Sequence, residues 1–410
     1  MRLAVIGGGA SGMIASIFAA QNGIRVDLYE RNEKLGKKLY ITGKGRCNLT
    51  NACGTEELLA SVKSNPKFLY SAFYGFTNRD AMDFFEKEGL RIKVERGNRV
   101  FPESDRSADV LDTLKRAMKK AGVRVHLNSR VMRLKKEGER FLLELEDGGT
   151  READRVFVAT GGISYESTGS TGDGYRLARE LGLKVTECCP SLVPFCIKEA
   201  FVKELQGLAL KNTAIRVMDG KKVLHEDFGE LLFTHFGVSG PVILTASSVC
   251  GRKVQEKELK LLLDLKPALT EEQLEARVLR EFEAAKNKKF GNVAAVFFPA
   301  KLTPVMIRLS GISADKKVNE VTKEERRRFI KHMKELELTV TGLGGYQEAV
   351  VTKGGVSVRE IQPATMESKK VPGLYFIGEV LDLDAVTGGF NLQIAWATGV
   401  AAARAVSQSM

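Results

Sequence analysis

The chain has 410 residues, of which 43% are hydrophobic and 28% charged, and this composition excludes a wholly disordered protein. Its 63 Lys and Arg against 51 Asp and Glu give a formal net charge of +12. An anionic partner such as nucleic acid, an acidic membrane surface or a phosphorylated ligand fits that charge, and so does a basic surface that only serves solubility.

Cysteine usage and hydropathy suggest the compartment. Six cysteines are too few and too scattered for a disulfide scaffold, and with four His and no C-x-x-C pair the sequence predicts no metal site. No apolar run approaches the roughly 20 residues of a membrane helix. The apolar start, Met1 to Ile6, is too short for a signal peptide. We therefore expect a soluble cytoplasmic protein of two or three structural units that makes no membrane contact.

The first element is the apolar run Leu3 to Ile6, which predicts a parallel strand buried on both faces. Gly7, Gly9 and Gly12 follow in G-x-G-x-x-G spacing, and a small-residue helix is predicted behind them. The first glycine allows a tight turn, the second a close approach to a pyrophosphate, and the third close packing of helix on strand. Unpaired N–H groups at the helix start favour phosphate.

A second strand is predicted from Ile24 to Tyr29, and it ends at Glu30. A carboxylate at that place can accept hydrogen bonds from ribose hydroxyls, and it disfavours a 2′-phosphate. With strand, glycines, helix and terminal acid all in order, the segment predicts binding of FAD or NAD rather than an unliganded turn.

The next stretch, residues 35–48, is predicted to be a basic loop. It is not a Walker A loop, because Gly45 stands where Ser or Thr should follow the lysine. Lys37, Lys38 and Arg46 could meet phosphates or an anionic substrate, or the lysines could simply be solvated.

Residues Gly7 to Met13, Gly36 to Lys38 and Thr42 to Asn48 together resemble the bacterial HI0933/YhiN-like flavoproteins. Further motifs of that family recur to the end of the chain, so the resemblance covers nearly all of it. This sequence departs from the family pattern at Glu166, where the family often has Pro, and at Ala385, where it usually has Gly. Both departures leave the local loop path open.

The resemblance implies an α/β fold: a Rossmann-like FAD-binding domain of glutathione-reductase type over residues 1–190 plus 343–410. Alternating apolar runs predict an inserted domain of antiparallel strands and hairpins over 191–268 plus 336–342. Helical spacing predicts a helical insert over 269–335. A strand is predicted from Val123 to Val131, where many FAD proteins contact adenine. Together the motifs and the resemblance give the expected cofactor-binding set: Gly7, Gly9, Ala10, Ser11, Gly12, Glu30, Arg31, Lys37, Lys38, Thr42, Gly43, Gly45, Val131, Thr160, Gly161, Gly162, Gly378, Glu379, Asp382, Gly389, Asn391 and Leu392.

The resemblance also implies a reaction. The chain lacks a second dinucleotide unit and a C-x-x-C or C-x4-C redox pair, which disfavours disulfide reduction, so NAD(P)H is expected to dock transiently as the reductant. The family is similar to flavoenzymes that reduce a uridine of 23S ribosomal RNA to dihydrouridine. Cys47 could protonate the uracil ring or only pack behind the flavin. Arg46 and Asn48 could orient the base or its phosphate, and His235 could contact flavin or substrate or be an ordinary packed histidine.

Three functions therefore stay open at this point. The first is an FAD-dependent reductase of ribosomal RNA, favoured by the charge and by the basic run Lys323 to His332, which could equally be a solvated helix face. The second is a small-molecule ene-reductase or oxidase. The third is an RNA-binding or ribosome-assembly protein that carries FAD structurally.

Overall fold

The computed structural model describes residues 1–408, and these contain nineteen strands. In chain order the strands are β1 (Arg2–Ile6), β2 (Arg25–Tyr29), β3 (Thr50–Asn51), β4 (Ile92–Glu95), β5 (Arg99–Pro102), β6 (Arg124–His126), β7 (Val131–Glu137), β8 (Arg140–Leu145), β9 (Thr150–Ala153), β10 (Arg155–Val158), β11 (Cys189–Ser191), β12 (Phe195–Ile197), β13 (Ala209–Asp219), β14 (Lys222–Phe233), β15 (Gly237–Ser239), β16 (Leu259–Asp264), β17 (Leu336–Leu343), β18 (Val351–Lys353) and β19 (Leu374–Phe376).

The same residues contain thirteen α-helices. They are α1 (Ala10–Gln21), α2 (Lys37–Gly45), α3 (Thr55–Ser61), α4 (Tyr70–Gly75), α5 (Asn78–Lys87), α6 (Ser107–Ala121), α7 (Asp173–Glu180), α8 (Pro241–Glu256), α9 (Glu271–Ala284), α10 (Phe290–Ala294), α11 (Thr303–Ser310), α12 (Lys323–Lys334) and α13 (Phe390–Gln408). Across residues 1–408, no helix is long and apolar enough to cross a membrane.

The chain divides into two compact units, Met1–Ser191 with Tyr346–Met410, and Leu192–Gly345. The finer domain bounds expected from the sequence, with a separate helical insert over 269–335, stay a prediction.

The first unit is built on a parallel sheet in the order β19-β10-β1-β2-β6. Its central strands are buried on both faces, as the apolar run at the start of the chain predicted. The α/β class with a Rossmann-like core is therefore confirmed. In a parallel sheet all carboxyl ends lie at one edge, so the segments that follow β1, β2, β10 and β19 meet there.

Smaller elements complete the first unit. Antiparallel sheets are formed by β3-β5-β4, by β7-β8-β9 and by β11-β18. Helix α1 packs against α13 and α6. The indole of Trp396 is fully buried and donates its N–H to the carbonyl of Leu49 at 2.8 Å, which fastens α13 to the segment before β3.

The second unit contains a closed barrel in the order β12-β15-β14-β13-β16-β17. Barrel residues share one hydrophobic cluster with helices α9 to α12. Phe329 lies at zero exposure among the rings of Phe290, Phe297 and Phe298, which meet it edge-on at centroid distances of 5.2, 6.0 and 5.8 Å. These edge-to-face contacts are the favoured geometry for buried aromatic rings.

Three local predictions were wrong. The strand expected from Val123 to Val131 is interrupted between β6 and β7, because Asn128 turns into the left-handed region at φ 51°, which Asn tolerates. The segment 35–48, predicted to be a basic loop, contains helix α2, whose regular helical geometry ends before Thr42. The segment 191–268, predicted to consist of strands and hairpins, also contains helix α8. Pro241 starts this helix at its first position, and the apolar residues behind it resemble a strand in sequence.

Candidate active site

The turn after β1 is shaped by close backbone contacts. Gly7 has φ 108° and donates its N–H to the Tyr29 carbonyl at 2.8 Å. A Cβ on Gly12 would lie 1.9 Å from the Gly7 carbonyl oxygen, so only glycine lets α1 pack this tightly against β1. A Cβ on Gly9, by contrast, would meet no heavy atom of the chain within 4 Å. Space is thus left open at the start of α1.

That open space lies at a helix N-terminus. Gly9 is the N-cap of α1 and offers no side-chain cap, and no acidic residue occupies the first turn, which contains Ala10 and Ser11. The first amides of α1 consequently receive no side-chain acceptor. Unpaired amides together with the helix dipole favour an anion at this position.

The Glu30 carboxylate, directly after β2, binds the glycine turn that follows β1. It is 7% exposed and accepts hydrogen bonds from the Gly8 N–H at 2.8 Å and from both the N–H and the side-chain amide of Asn32 at 2.8 Å. The carboxylate therefore holds the glycine turn against β2. Its predicted contact with a ribose stays a prediction.

Next to it, Arg31 and Arg130 share the carboxylate of Asp173, the first residue of α7. Arg130 binds it through two N–H groups at 2.9 and 2.8 Å, and Arg31 lies 3.2 Å from it. Burial raises the pKa of Asp173, but the Arg130 hydrogen bond and the nearby arginine charges outweigh burial, and the net pKa is lowered. The same hydrogen bond raises the pKa of Arg130. Val131, expected near adenine, is the buried first residue of β7.

Helix α2 ends in a left-handed turn. Its regular geometry breaks at Thr42, and Gly43, Lys44 and Gly45 have φ values of 57°, 58° and 82°. Cys47 also has positive φ, at 59°. Two non-glycine residues in this region store backbone strain, which is common at binding and catalytic sites.

Lys38 points inward from α2 and joins distant parts of the chain. Its ammonium donates to both carboxylate oxygens of Glu379, at 2.9 and 2.8 Å, and to the hydroxyl of Ser164 at 2.7 Å. Glu379 also accepts the Thr352 N–H at 2.9 Å. Lys37 instead pairs at 3.4 Å with Glu33, which lies four residues earlier and before α2 begins.

Arg46 is held by carboxylates. Its guanidinium donates to Asp105 at 2.8 Å and to Glu95 at 2.5 Å, and it lies 4.0 Å over the ring of Phe101. The hydrogen bond to Glu95 is the largest cause that raises the pKa of Arg46. Lys93 lies 2.7 Å from Asp105, so two cations face two anions. The positive charge of Arg46 is therefore compensated by carboxylates of the chain itself.

Cys47 and Asn48 lie at the inner end of the same turn. The Cys47 side chain has no exposed surface, and burial raises the pKa of its thiol to about 12. The Asn48 Oδ1 atom is buried with no hydrogen-bond partner in the described chain, and so is the Thr160 hydroxyl that follows β10. Buried polar atoms rarely lack partners, so these two point to a polar ligand that completes them.

The glycines that follow β10 and β19 lie in close contact with neighbouring segments of the chain. A Cβ on Gly162 would lie 2.4 Å from the Thr352 hydroxyl, and Gly161 has φ 72°. Gly378 has φ 74° and donates its N–H to the Thr398 hydroxyl at 3.0 Å. These contacts leave little space beside the backbone at either strand end.

The loop before α13 is fixed by its own hydrogen bonds. The Asn391 amide accepts from the Ala385 N–H at 2.9 Å and donates to the Ala385 carbonyl at 2.8 Å, which settles the loop path that Ala385 left open. Gly389 has φ 96°, and a Cβ there would lie 2.4 Å from the Thr50 carbonyl oxygen. Leu392 is partly buried in the first turn of the helix.

Several residues of this region are not among the predicted site residues, although some lie in segments that the sequence motifs covered. They include Asn32, Ser164, Asp173, Thr352 and Asp384. Asp384 is fully buried and accepts from the Ser191 hydroxyl at 3.2 Å and from the Ser64 hydroxyl. Its only signal was its place two residues after Asp382 in the pattern Leu-Asp-Leu-Asp.

His235 belongs to the second unit. It is exposed in the turn between β14 and β15, where its ring meets Phe236 edge-on at 4.8 Å. Its predicted contact with cofactor or substrate stays a prediction. Among residues 1–408, no group of three or more His, Cys, Asp or Glu could hold a metal ion.

Comparisons with known proteins agree with this geometry. The family model described as HI0933-like protein Rossmann domain matches residues 1–405. The chain is 34% identical to the 3-dehydro-bile acid delta(4,6)-reductase of Clostridium scindens, over 99% of each protein. It is also 34% identical to the ribosomal RNA dihydrouridine synthase of Escherichia coli, over 98% of this chain and 96% of that protein. The solved 3-ketosteroid delta1-dehydrogenase of Sterolibacterium denitrificans shares the fold, with a TM-score of 0.50 over 100% of this chain and 99% of that one, at 13% identity.

Proposed function

The chain belongs to the HI0933-like family, and from that membership we propose that it reduces a uridine of ribosomal RNA to dihydrouridine. The protein is an enzyme, an FAD-dependent oxidoreductase. As its electron donor we propose NAD(P)H.

The residues of the first unit fit FAD. The open face of Gly9 and the uncapped start of α1 offer a place for the pyrophosphate, and Gly7, Ala10 and Ser11 would line it. The partnerless Thr160 hydroxyl offers a hydrogen bond to the cofactor. Glu30, Arg31 and Val131 would hold the adenosine half of FAD. The remaining predicted cofactor-binding residues, which lie on α2 and after β10 and β19, would hold the flavin half. When bound, FAD supplies a hydride for reduction of a carbon–carbon double bond.

The chain itself must supply a proton, and Cys47 is the proposed donor. With its pKa raised to about 12 by burial, the thiol keeps its proton at neutral pH. The ring carbon that receives the proton is a stronger base than a thiolate, so the transfer from Sγ remains favourable. The Asn48 amide would orient the uracil through its unpaired acceptor, which suits the imide N–H of that base.

The observation that carries the RNA proposal is a row of unpaired cations on α12. Lys323, Arg327 and Lys331 are exposed at i, i+4 and i+8, so they share one face of the helix. No ion pair joins them to an acidic residue within the described part of the chain. In a protein of net charge +12, such a row favours contact with phosphates.

The deciding test is mass spectrometry of ribosomal RNA nucleosides from cells that lack the gene and from complemented cells. We expect one dihydrouridine to vanish on deletion and to return with the wild-type protein and with the control Gly54→Ala, whose added methyl group would meet no heavy atom of the chain within 4 Å. Dihydrouridine that is unchanged by deletion would exclude this function. Anaerobic bleaching of the flavin with NADPH or NADH identifies the donor.

A second candidate function is reduction of an unsaturated small molecule. It is favoured by the Clostridium scindens relative and by Tyr40 and Ile41, which are 55% and 42% exposed on α2 next to the left-handed turn. Such an apolar surface could receive a steroid-like ring. Turnover of an unsaturated 3-oxo steroid by the reduced enzyme, without any change in ribosomal RNA on deletion, would establish this function instead.

A further inference from the structure

Two exposed tyrosines lie with parallel rings on α4. The rings of Tyr70 and Tyr74 stack with centroids 6.4 Å apart and an interplanar angle of 5°. The two residues are 49% and 61% exposed. Aromatic side chains bury large areas when packing partners exist, so two parallel rings in solvent are available to a flat ligand.

The burial pattern shows which neighbours share this face. Residues 66–75 form a short 3-10 turn that continues into α4. The inner side is buried and comprises Phe68, Leu69, Ala72 and Phe73. The outer side is exposed and comprises Lys67, Tyr70, Ser71 and Tyr74. Lys67 therefore belongs to the same exposed side as the two tyrosines, three residues before Tyr70.

Positive charge accompanies the rings. Lys67 has no ion pair with any acidic residue in the part of the chain that the structure describes, and the Lys63 ammonium has only the Ala60 carbonyl, at 3.1 Å. Exposed lysines without an ion pair, on the segment that leads into the two parallel rings, match the chemistry of single-stranded nucleic acid, which offers phosphates and bases in alternation.

The surface is also attached to the proposed active site. The Lys63 N–H donates to the Asp384 carbonyl at 2.7 Å, and the Asn65 amide donates to the Asp382 carbonyl at 2.8 Å. Residues 382–386 lead directly into the glycine turn that begins α13. The aromatic surface and the loop before α13 are therefore joined by hydrogen bonds within one unit.

We infer that Tyr70, Tyr74, Lys63 and Lys67, here called the tyrosine platform, bind single-stranded RNA by base stacking. The inference rests on the proposed function and assigns a surface to its substrate. Bases next to the target uridine stack on the rings while the lysines meet the backbone phosphates. A uridine must leave the base stack to reach a flavin, so the neighbouring bases lose a stacking contact. Stacking on the tyrosine rings replaces that lost contact.

The test measures binding of a short fluorescein-labelled single-stranded RNA to the FAD-loaded protein by anisotropy at several salt concentrations. Tyr70→Ala with Tyr74→Ala should weaken binding about tenfold for each ring. Phe at both positions should keep the affinity within about twofold, because the π faces remain. Phe228→Ala, which removes a 59% exposed ring from β14 in the second unit, is the matched control and should change nothing.

The lysines have a separate signature. Lys63→Gln with Lys67→Gln should flatten the dependence of log affinity on log salt by about 0.7 for each RNA phosphate that the variant no longer neutralises. The tyrosine variants should leave that slope unchanged, because stacking releases no counterions. Since both rings are exposed, FAD content and Tm should match the wild type, and Tyr74→Ala alone serves if the double variant does not fold.

The outcomes separate the platform from the proposed function. Wild-type RNA affinity in the double Ala variant, an equal loss in Phe228→Ala, or no RNA binding by the wild type would each overturn the platform. If the platform fails while cells still form dihydrouridine through this protein, the proposed function stands and α4 serves another purpose, such as contact with a protein. If dihydrouridine does not depend on the protein, the function itself fails.

Discussion

Replacing Gly9 by Ala separates cofactor binding from folding at the glycine turn. Gly9 has φ −81°, which Ala adopts without strain, and an added Cβ meets no heavy atom of the chain within 4 Å. We therefore expect the free energy of unfolding without FAD to change by less than about 1 kcal/mol, through N-cap preference alone. If a pyrophosphate lies against Gly9, the methyl group overpacks that contact by about 1–3 kcal/mol. The affinity for FAD then falls roughly 5- to 150-fold.

Two further variants calibrate the result. Gly54 is also an N-cap, of α3, with φ −70° and nothing within 4 Å of an added Cβ, so Gly54→Ala should change neither stability nor FAD affinity appreciably. Gly12→Ala should lower the free energy of unfolding by about 3 kcal/mol or more, because its Cβ would lie 1.9 Å from a backbone oxygen. Urea unfolding and fluorescence titration with FAD measure both quantities. Wild-type FAD affinity in Gly9→Ala would refute a pyrophosphate at this position.

Three other changes test the site. Lys38→Met leaves the Glu379 carboxylate without its cation and should lower the free energy of unfolding in urea by about 1–3 kcal/mol; adding Glu379→Gln should recover part of that loss. The lowered pKa of Asp173 means that its ion pair with Arg130 stabilises the fold above pH 3.8, and that this contribution is lost as the pH falls through the folded pKa. Asp173→Asn should therefore be less stable than the wild type at neutral pH. In thermal unfolding at acid pH, the difference in stability should shrink below pH 3.8. Cys47→Ala should abolish dihydrouridine formation in complemented cells while the Tm stays within a few degrees; retained dihydrouridine with a lowered Tm would assign Cys47 to packing.

Local sequence patterns predicted the elements that depend on neighbouring residues. The strand, the glycines and the helix at the start of the chain were correctly predicted, because turn geometry and burial on both faces leave a mark within a few residues. The same reasoning failed for α8, whose β-branched and apolar residues would suit a strand equally well. It also failed for α2, because the many basic residues of this segment suggested a loop. The segment begins as a helix, and its Leu39 side chain is buried.

By itself the sequence determined the family, the α/β class and the glycine turn that leaves space at the start of α1. Only the tertiary structure decided which charges meet. Lys38 finds Glu379 across 341 positions, and Arg46 is neutralised by Glu95 and Asp105, although both cations read alike in sequence. The physical reason is range: backbone turns depend on adjacent residues, whereas the partner of a buried charge depends on how distant segments pack at the edge of the sheet.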